Sequence, residues 1–144
     1  MANELLIASD HAGYDLKEAL KKFMLEQGLK VSDLGCDSPE SVNYPSYAHQ
    51  VAEKVQKEHS RGILICGSGI GMSITANRHP GVRAALCMSV ELAKLSREHN
   101  DSNILVLGAR FVDIKLAEEI LDIWLKTPFA AGRHQTRLEQ IDKY

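Results

Sequence analysis

Short apolar runs alternate along the chain with longer stretches whose apolar positions recur at helical spacing. Residues 5–9 form the first run, and Leu16, Ala19, Leu20, Phe23 and Met24 follow at i, i+3, i+4, i+7 and i+8, one face of a helix that Gly28 ends. A strand near residues 30–34 comes next. Beyond a loop marked by Asp37-Ser38-Pro39 and Pro45, Ala48, Val51, Ala52 and Val55 share a second helical face. Residues 62–66 read as a third strand, a glycine-rich turn opens another helix, and residues 82–87 read as a fourth strand after the break at His79-Pro80-Gly81. Leu92, Leu95, Ser96 and His99 then mark one helix face, and residues 103–108 a fifth strand. The clearest amphipathic helix carries Leu116, Ala117, Ile120, Leu121, Trp124 and Leu125 and closes before Pro128, with a last helix after Gly132. Strands that are apolar throughout suit a sheet covered on both faces, and helices between strands force parallel pairing through right-handed crossovers. The pattern predicts an α/β protein: a five-stranded parallel sheet in a three-layer α/β/α sandwich, as one domain over residues 1–144.

Composition agrees with a single core. At 144 residues, 44% hydrophobic and 25% charged, the chain has the make-up of one globular domain. Seventeen Lys and Arg against nineteen Asp and Glu leave a net charge of -2. That excludes the broad basic surface of a non-specific nucleic-acid binder and makes any anion site local. No apolar run approaches the roughly 18 residues of a membrane span. The start, Met-Ala-Asn-Glu, lacks the basic segment and cleavage site of a secretory leader, so a cytoplasmic protein is expected. Cys36, Cys66 and Cys87 are odd in number with no CxxC spacing, which points to free thiols and away from a disulfide framework or structural zinc.

Ligands of such sheets bind beyond the carboxyl ends of the strands. Those ends carry Ser9-Asp10-His11, Cys66-Gly67-Ser68-Gly69-Ile70-Gly71, Cys87-Met88-Ser89 and Gly108-Ala109-Arg110. Three glycines in five residues let backbone N–H groups close on an anion, although a tight strand-to-helix turn uses the same residues. A dinucleotide fingerprint fails at Met72, and no acidic residue ends the following strand to hold a ribose. A Walker A loop lacks its lysine at Gly71-Met72-Ser73. A cysteine-phosphatase loop lacks the arginine that would replace Met72, and a phosphorelay receiver lacks the aspartate that would replace Cys66.

Cys66 ends a buried strand just ahead of these amides, where a thiolate could serve as nucleophile or base; a cysteine on an apolar strand is also a simple small hydrophobe. Asp10-His11 pairs an acid with a proton-transfer group, and Asp10 is equally a helix cap. His99 is a second acid/base candidate or a C-terminal helix cation. Arg133 and Arg137 stand at i, i+4 near a helix N-terminus, where each arrangement costs on the order of 0.3 to 1 kcal/mol unless a bound phosphate reverses the sign. Arg110 could add another positive group. Phosphate clamp, amide-lined anion hole, thiolate and acid/base histidines together suit proton transfer beside the carbonyl of a sugar phosphate.

The residues Ser9-Asp10-His11-Ala12-Gly13, Asn43-Tyr44-Pro45, 62–71, Ser96-Arg97-Glu98-His99-Asn100-Asp101 and Gly132-Arg133-His134-Gln135 closely resemble the ribose-5-phosphate isomerase B family, the group that includes the galactose-6-phosphate isomerase subunits. The resemblance runs the whole length. It implies a Rossmann-like sandwich that binds no nucleotide, and a homodimer or tetramer whose active sites are shared between subunits. The implied activity interconverts ribose 5-phosphate and ribulose 5-phosphate, a step of the pentose phosphate pathway, with no metal or other cofactor. Isomerisation of a six-carbon sugar phosphate, or a non-catalytic phosphate- or nucleotide-sensing module, is the alternative. By resemblance Cys66 takes the proton from C2 and returns it to C1 through a cis-enediolate; another branch uses a glutamate in the loop of Met72 instead. Ser68 stands where many relatives have threonine and would move the proton between O1 and O2. Backbone amides over Gly67, Gly69, Ile70, Gly71, Met72 and Ser73 would hold the enediolate. His99, with Asp10 nearby, would open the furanose ring. His11, Arg133 and Arg137 would bind the phosphate, with Tyr44, Asn100 and Arg110 completing a pocket partly built by the partner subunit.

Overall fold

The computed structural model describes residues 4–143; residues 1–3, on which part of the leader reading rests, lie outside them. Strands and helices alternate as β1 (Leu5–Ser9), α1 (Tyr14–Glu26), β2 (Val31–Asp33), α2 (Tyr44–Glu58), β3 (Arg61–Cys66), α3 (Ile70–Ala76), β4 (Ala84–Leu86), α4 (Val90–Asn100), β5 (Ile104–Gly108), α5 (Ile114–Lys126) and α6 (Arg133–Asp142). The sheet order is β2-β1-β3-β5-β4, and every pairing is parallel, with Leu5 opposite Arg61 and Gly62 opposite Ile104. Successive strand residues point to opposite faces, which divides the core in two. Leu5, Ile7, Ile63, Ile65, Leu105 and Leu107 pack under α1, α4 and α5, while Leu6, Ala8, Leu64, Cys66, Ile104 and Val106 pack under α2 and α3. Both faces are covered, as the unbroken apolar strands require.

Two local expectations are corrected. The fourth strand is only Ala84–Leu86, because Val82 N–H turns back to His79 and Arg83 N–H is taken by the Asn103 side chain. The buried face of α4 is Ala93, Ser96 and Arg97, whereas Leu92 and His99 are exposed. Small Ala93 and Ser96 let α4 approach α5 closely, and the Ser96 hydroxyl meets that of Ser102, which also receives the Trp124 indole N–H. Arg97 can be buried there because it donates to the carbonyls of Thr127 and Ser102 and pairs with Asp101 at 2.8 Å.

Lys17 is also buried, at 1% exposure, and its ammonium lies 2.6 Å from Asp33, which Lys21 approaches at 2.7 Å. Asp33 accepts the Gly35 N–H as well, and so shapes the turn that leads from β2 toward the strand ends. Burial opposes the Asp33 carboxylate, but the two ammonium groups and the Gly35 amide outweigh it and hold its pKa below the ordinary value. A lowered pKa gives stability that is complete above the unfolded value near pH 4 and is lost as pH falls through the folded one. Lys17→Met is therefore less stable than wild type at pH 7, and denaturant unfolding shows the gap narrowing once the pH falls below about 4.

Candidate active site

At Cys66 the chain leaves β3, and residues 67–69 turn it into α3. Gly69 makes the turn at φ +81°, and a Cβ there would overlap the Leu86 side chain and crowd the Leu107 backbone. The turn brings the Gly69 N–H back onto the Cys66 sulfur, 3.2 Å away, in a position where Cys66 is only 5% exposed. The Ile70 N–H is taken by Ser68 Oγ at 3.2 Å, and the Ser73 N–H by the Gly69 carbonyl. Of the amides expected to face an oxyanion, those of Gly69 and Ile70 are thus spent on the sulfur and hydroxyl that would do the chemistry. Gly71 and Met72 lie in the first turn of α3, where N–H groups have no carbonyl behind them in the helix. Met72 is fully buried in the core, so only its backbone can serve a ligand, while the Ile70 side chain is exposed.

Neighbouring strand ends close around this loop. Tyr44 opens α2, and its ring and hydroxyl lie so close over Gly71 that a Cβ there would strike them. Arg110 follows β5; its N–H donates to the Gly67 carbonyl, and its guanidinium lies across Gly67, where a Cβ would be 3.2 Å from Nε. Asp10 is 6% exposed and accepts the Gly13 N–H at 3.1 Å, so it braces the turn before α1 while Gly13 holds the cap position itself. His11 accepts the Val42 N–H on Nδ1 at 3.2 Å, which leaves Nε2 to carry the proton of the neutral ring. The part played by Val42 was not legible in the sequence, because it depends on the fold of residues 34–43.

His99, Asn100, Arg133 and Arg137 lie elsewhere. They sit at the opposite edge of the sheet, where α4 ends and α6 begins. Arg83, just before β4, donates to the carbonyls of Asn100 and Asp101 and pairs with Asp142 at the end of α6. The carbonyl of Asn103, three residues past α4, accepts the Gly62 N–H near the start of β3. The five residues of β5 separate the two groups by about 16 Å. Asp10 and His99, expected together, are therefore apart within one chain. Arg133 and Arg137 are both exposed, one turn apart at the start of α6, and a residue between them that was not singled out, His134, lies with its ring stacked on that of His99 at 4.3 Å. Its place within Gly132-Arg133-His134-Gln135 was the available signal.

The other thiols fit the plainer reading. Burial pushes the Cys87 pKa up to about 11 despite a hydrogen bond with Ser96, and Cys36 donates to the Ser38 carbonyl. All three cysteines are free, and no group of three or more His, Cys, Asp or Glu among the described residues could hold a metal ion. No helix among them is long and apolar enough to cross a membrane.

The sequence profile described as ribose/galactose isomerase matches residues 5–141. The chain belongs to the ribose/galactose isomerase family. It is 45% identical to ribose-5-phosphate isomerase B of Escherichia coli, over 96% of this chain and 93% of that protein. Its fold matches ribose-5-phosphate isomerase B from Clostridium thermocellum with a TM-score of 0.96 at 48% identity, covering 98% and 96% of the two chains. A further match, with a TM-score of 0.95 at 40% identity over 98% and 95%, is ribose-5-phosphate isomerase B from Mycoplasma genitalium, solved with ribulose-5-phosphate bound.

In this isomerase-family chain Gly69 tolerates no side chain. Gly69→Ala combines a left-handed backbone with overlap against the Leu86 side chain and crowding of the Leu107 backbone and should cost about 2 to 4 kcal/mol in denaturant unfolding.

Proposed function

We propose that this chain is an aldose-ketose isomerase that interconverts ribose 5-phosphate and ribulose 5-phosphate in the cytoplasm. The observation that carries the reading is the Cys66 sulfur, seated under the glycine loop with the Gly69 N–H directed onto it. The relatives named ribose-5-phosphate isomerase B, and the ribulose-5-phosphate complex of one of them, point to the same substrate. In this reading Cys66 as thiolate removes the proton from C2 of the open aldose. The carbonyl next to C2 acidifies that proton, so the chemistry needs neither metal nor redox cofactor. The electron pair moves into a C1–C2 double bond, giving a cis-enediolate whose charge faces the amides of Gly71 and Met72. Ser68 passes a proton between O1 and O2, Cys66 returns its proton to C1, and ribulose 5-phosphate results. A positioned base contributes about 10² to 10⁴ in rate, and an oxyanion donor roughly 3 to 4 kcal/mol at the transition state.

We further infer that the site is completed by a second copy of the chain, in a homodimer or a pair of such dimers. One copy would supply Cys66, the glycine loop, Asp10, His11, Tyr44 and Arg110. The other would bring His99 to open the furanose ring and Asn100, Arg133 and Arg137 to hold the substrate and its phosphate. The exposed apolar residues support this arrangement. Ile70 and Ile74 on α3, and Met88 and Leu92 at the start of α4, are each 46–55% exposed and flank the β4 edge of the sheet on its two faces, beside the loop that holds Cys66. Exposed apolar residues of this kind are what a self-complementary interface buries.

Cys66→Ala tests the chemistry. Interconversion of the two pentose phosphates, followed by kcat, should fall at least roughly a thousandfold, with the fold intact because the lost hydrogen bond is worth only about 1 kcal/mol. Near wild-type kcat in that variant would reject the mechanism.

A further inference from the structure

Among the residues of α6's first turn, His134 is the one the chain buries. Arg133, Gln135, Thr136 and Arg137 are exposed, whereas His134 is 8% exposed and lies almost flat against His99, with the planes 17° from parallel. The stack is braced from both sides. The Ala130 N–H donates to the carbonyl of Glu98, the residue before His99, and Arg97 ties α4 to the Thr127 carbonyl and to Asp101. Core packing does not need a second imidazole here, because Leu138 is the apolar anchor of α6 and the Arg83–Asp142 pair holds its far end. His99 would otherwise be an exposed side chain at a helix terminus, free to choose among rotamers.

We propose that His134 is a positioning residue for ring opening: its ring is the plate against which His99 is held, and it sets the edge that His99 turns toward the sugar. The inference rests on the ring-opening role given to His99 above. Opening breaks the C1–O4 bond, with the electron pair remaining on O4. That oxygen takes a proton from His99, the O1 hydroxyl gives its proton to the Asp10 carboxylate, and the C1 carbonyl forms. A catalytic ring that must reach one oxygen loses rate steeply when misplaced by about an ångström. Burial, then the charges of His99, Arg133 and Arg137, lower the His134 pKa, with Glu98 pulling the other way, which favours the neutral form of the backing ring.

The two substrates separate this role from a purely structural one. Ribulose 5-phosphate cannot close a furanose ring, because its C5 oxygen is esterified, so only ribose 5-phosphate needs opening. Initial rates are measured with each sugar at increasing enzyme concentration. Wild type should show rates proportional to enzyme with both. His134→Ala, or His134→Gln should that chain fail to fold, should level off with ribose 5-phosphate at the rate of spontaneous opening in solution, roughly tenfold or more below wild type. With ribulose 5-phosphate the same variant should stay proportional to enzyme. His134→Phe keeps a flat face without a titratable nitrogen and should restore proportionality with both. Proportional rates with ribose 5-phosphate in the non-stacking variant, or a Phe variant that levels off as it does, would overturn the role of the stack. Wild type that turns over neither sugar would instead reject the isomerase reading.

Discussion

In an all-parallel sheet with helices as crossovers, every strand ends at one edge and every such helix ends at the other. Cys66 ends a strand, and His99 stands in the last turn of a helix. No adjustment of loops brings them together, because the core between them is the sheet itself, covered by buried apolar clusters on both faces. A chain with Cys66 at one edge and His99, Arg133 and Arg137 at the other divides its proposed site residues into two groups. The proposal of a shared site follows from this constraint more than from any single contact.

Each half is held by interactions that its own residues cannot make alone. At the strand ends, Gly69 bends the chain so that its peptide N–H faces the sulfur three residues back, while Asp10, Tyr44 and Arg110 arrive from β1, α2 and β5 to close the rim. At the helix ends, Arg97 gathers α4, the start of β5 and the segment before α6 through two carbonyls and a carboxylate, all partly withdrawn from water. A guanidinium tolerates such burial only when its donors are matched in this way. The same clamp fixes His99 relative to Arg133 and Arg137.

Most of the architecture was legible in the chain, because its evidence is local. The apolar face of α5, the glycine break before α3 and the unbroken apolar strands β1, β3 and β5 each depend on a few consecutive residues. What could not be read depends on partners distant in sequence. Leu92 stood on the expected helix face and Arg97 did not, and the burial of Arg97 follows from Thr127 and Ser102, which meet it only in the folded chain. The shortening of β4 similarly depends on the Asn103 side chain. The candidate site residues were singled out from motif and chemistry. Their separation into two groups emerges once the chain order is laid on the sheet, and the His99–His134 stack appears only when α6 folds back on α4.

The shared site is tested most directly by mixing two inactive chains. Cys66→Ala lacks the proposed base and His99→Asn the proposed ring-opening group, so each homo-oligomer should be nearly inactive on ribose 5-phosphate. After subunit exchange in equal amounts, half of the symmetric dimers are mixed, and each mixed dimer holds one site with both groups intact. Activity should rise to about a quarter of wild type. If the mixture stays as inactive as its parts while mixed dimers are demonstrably present, base and acid belong to the same chain's site and the account is wrong.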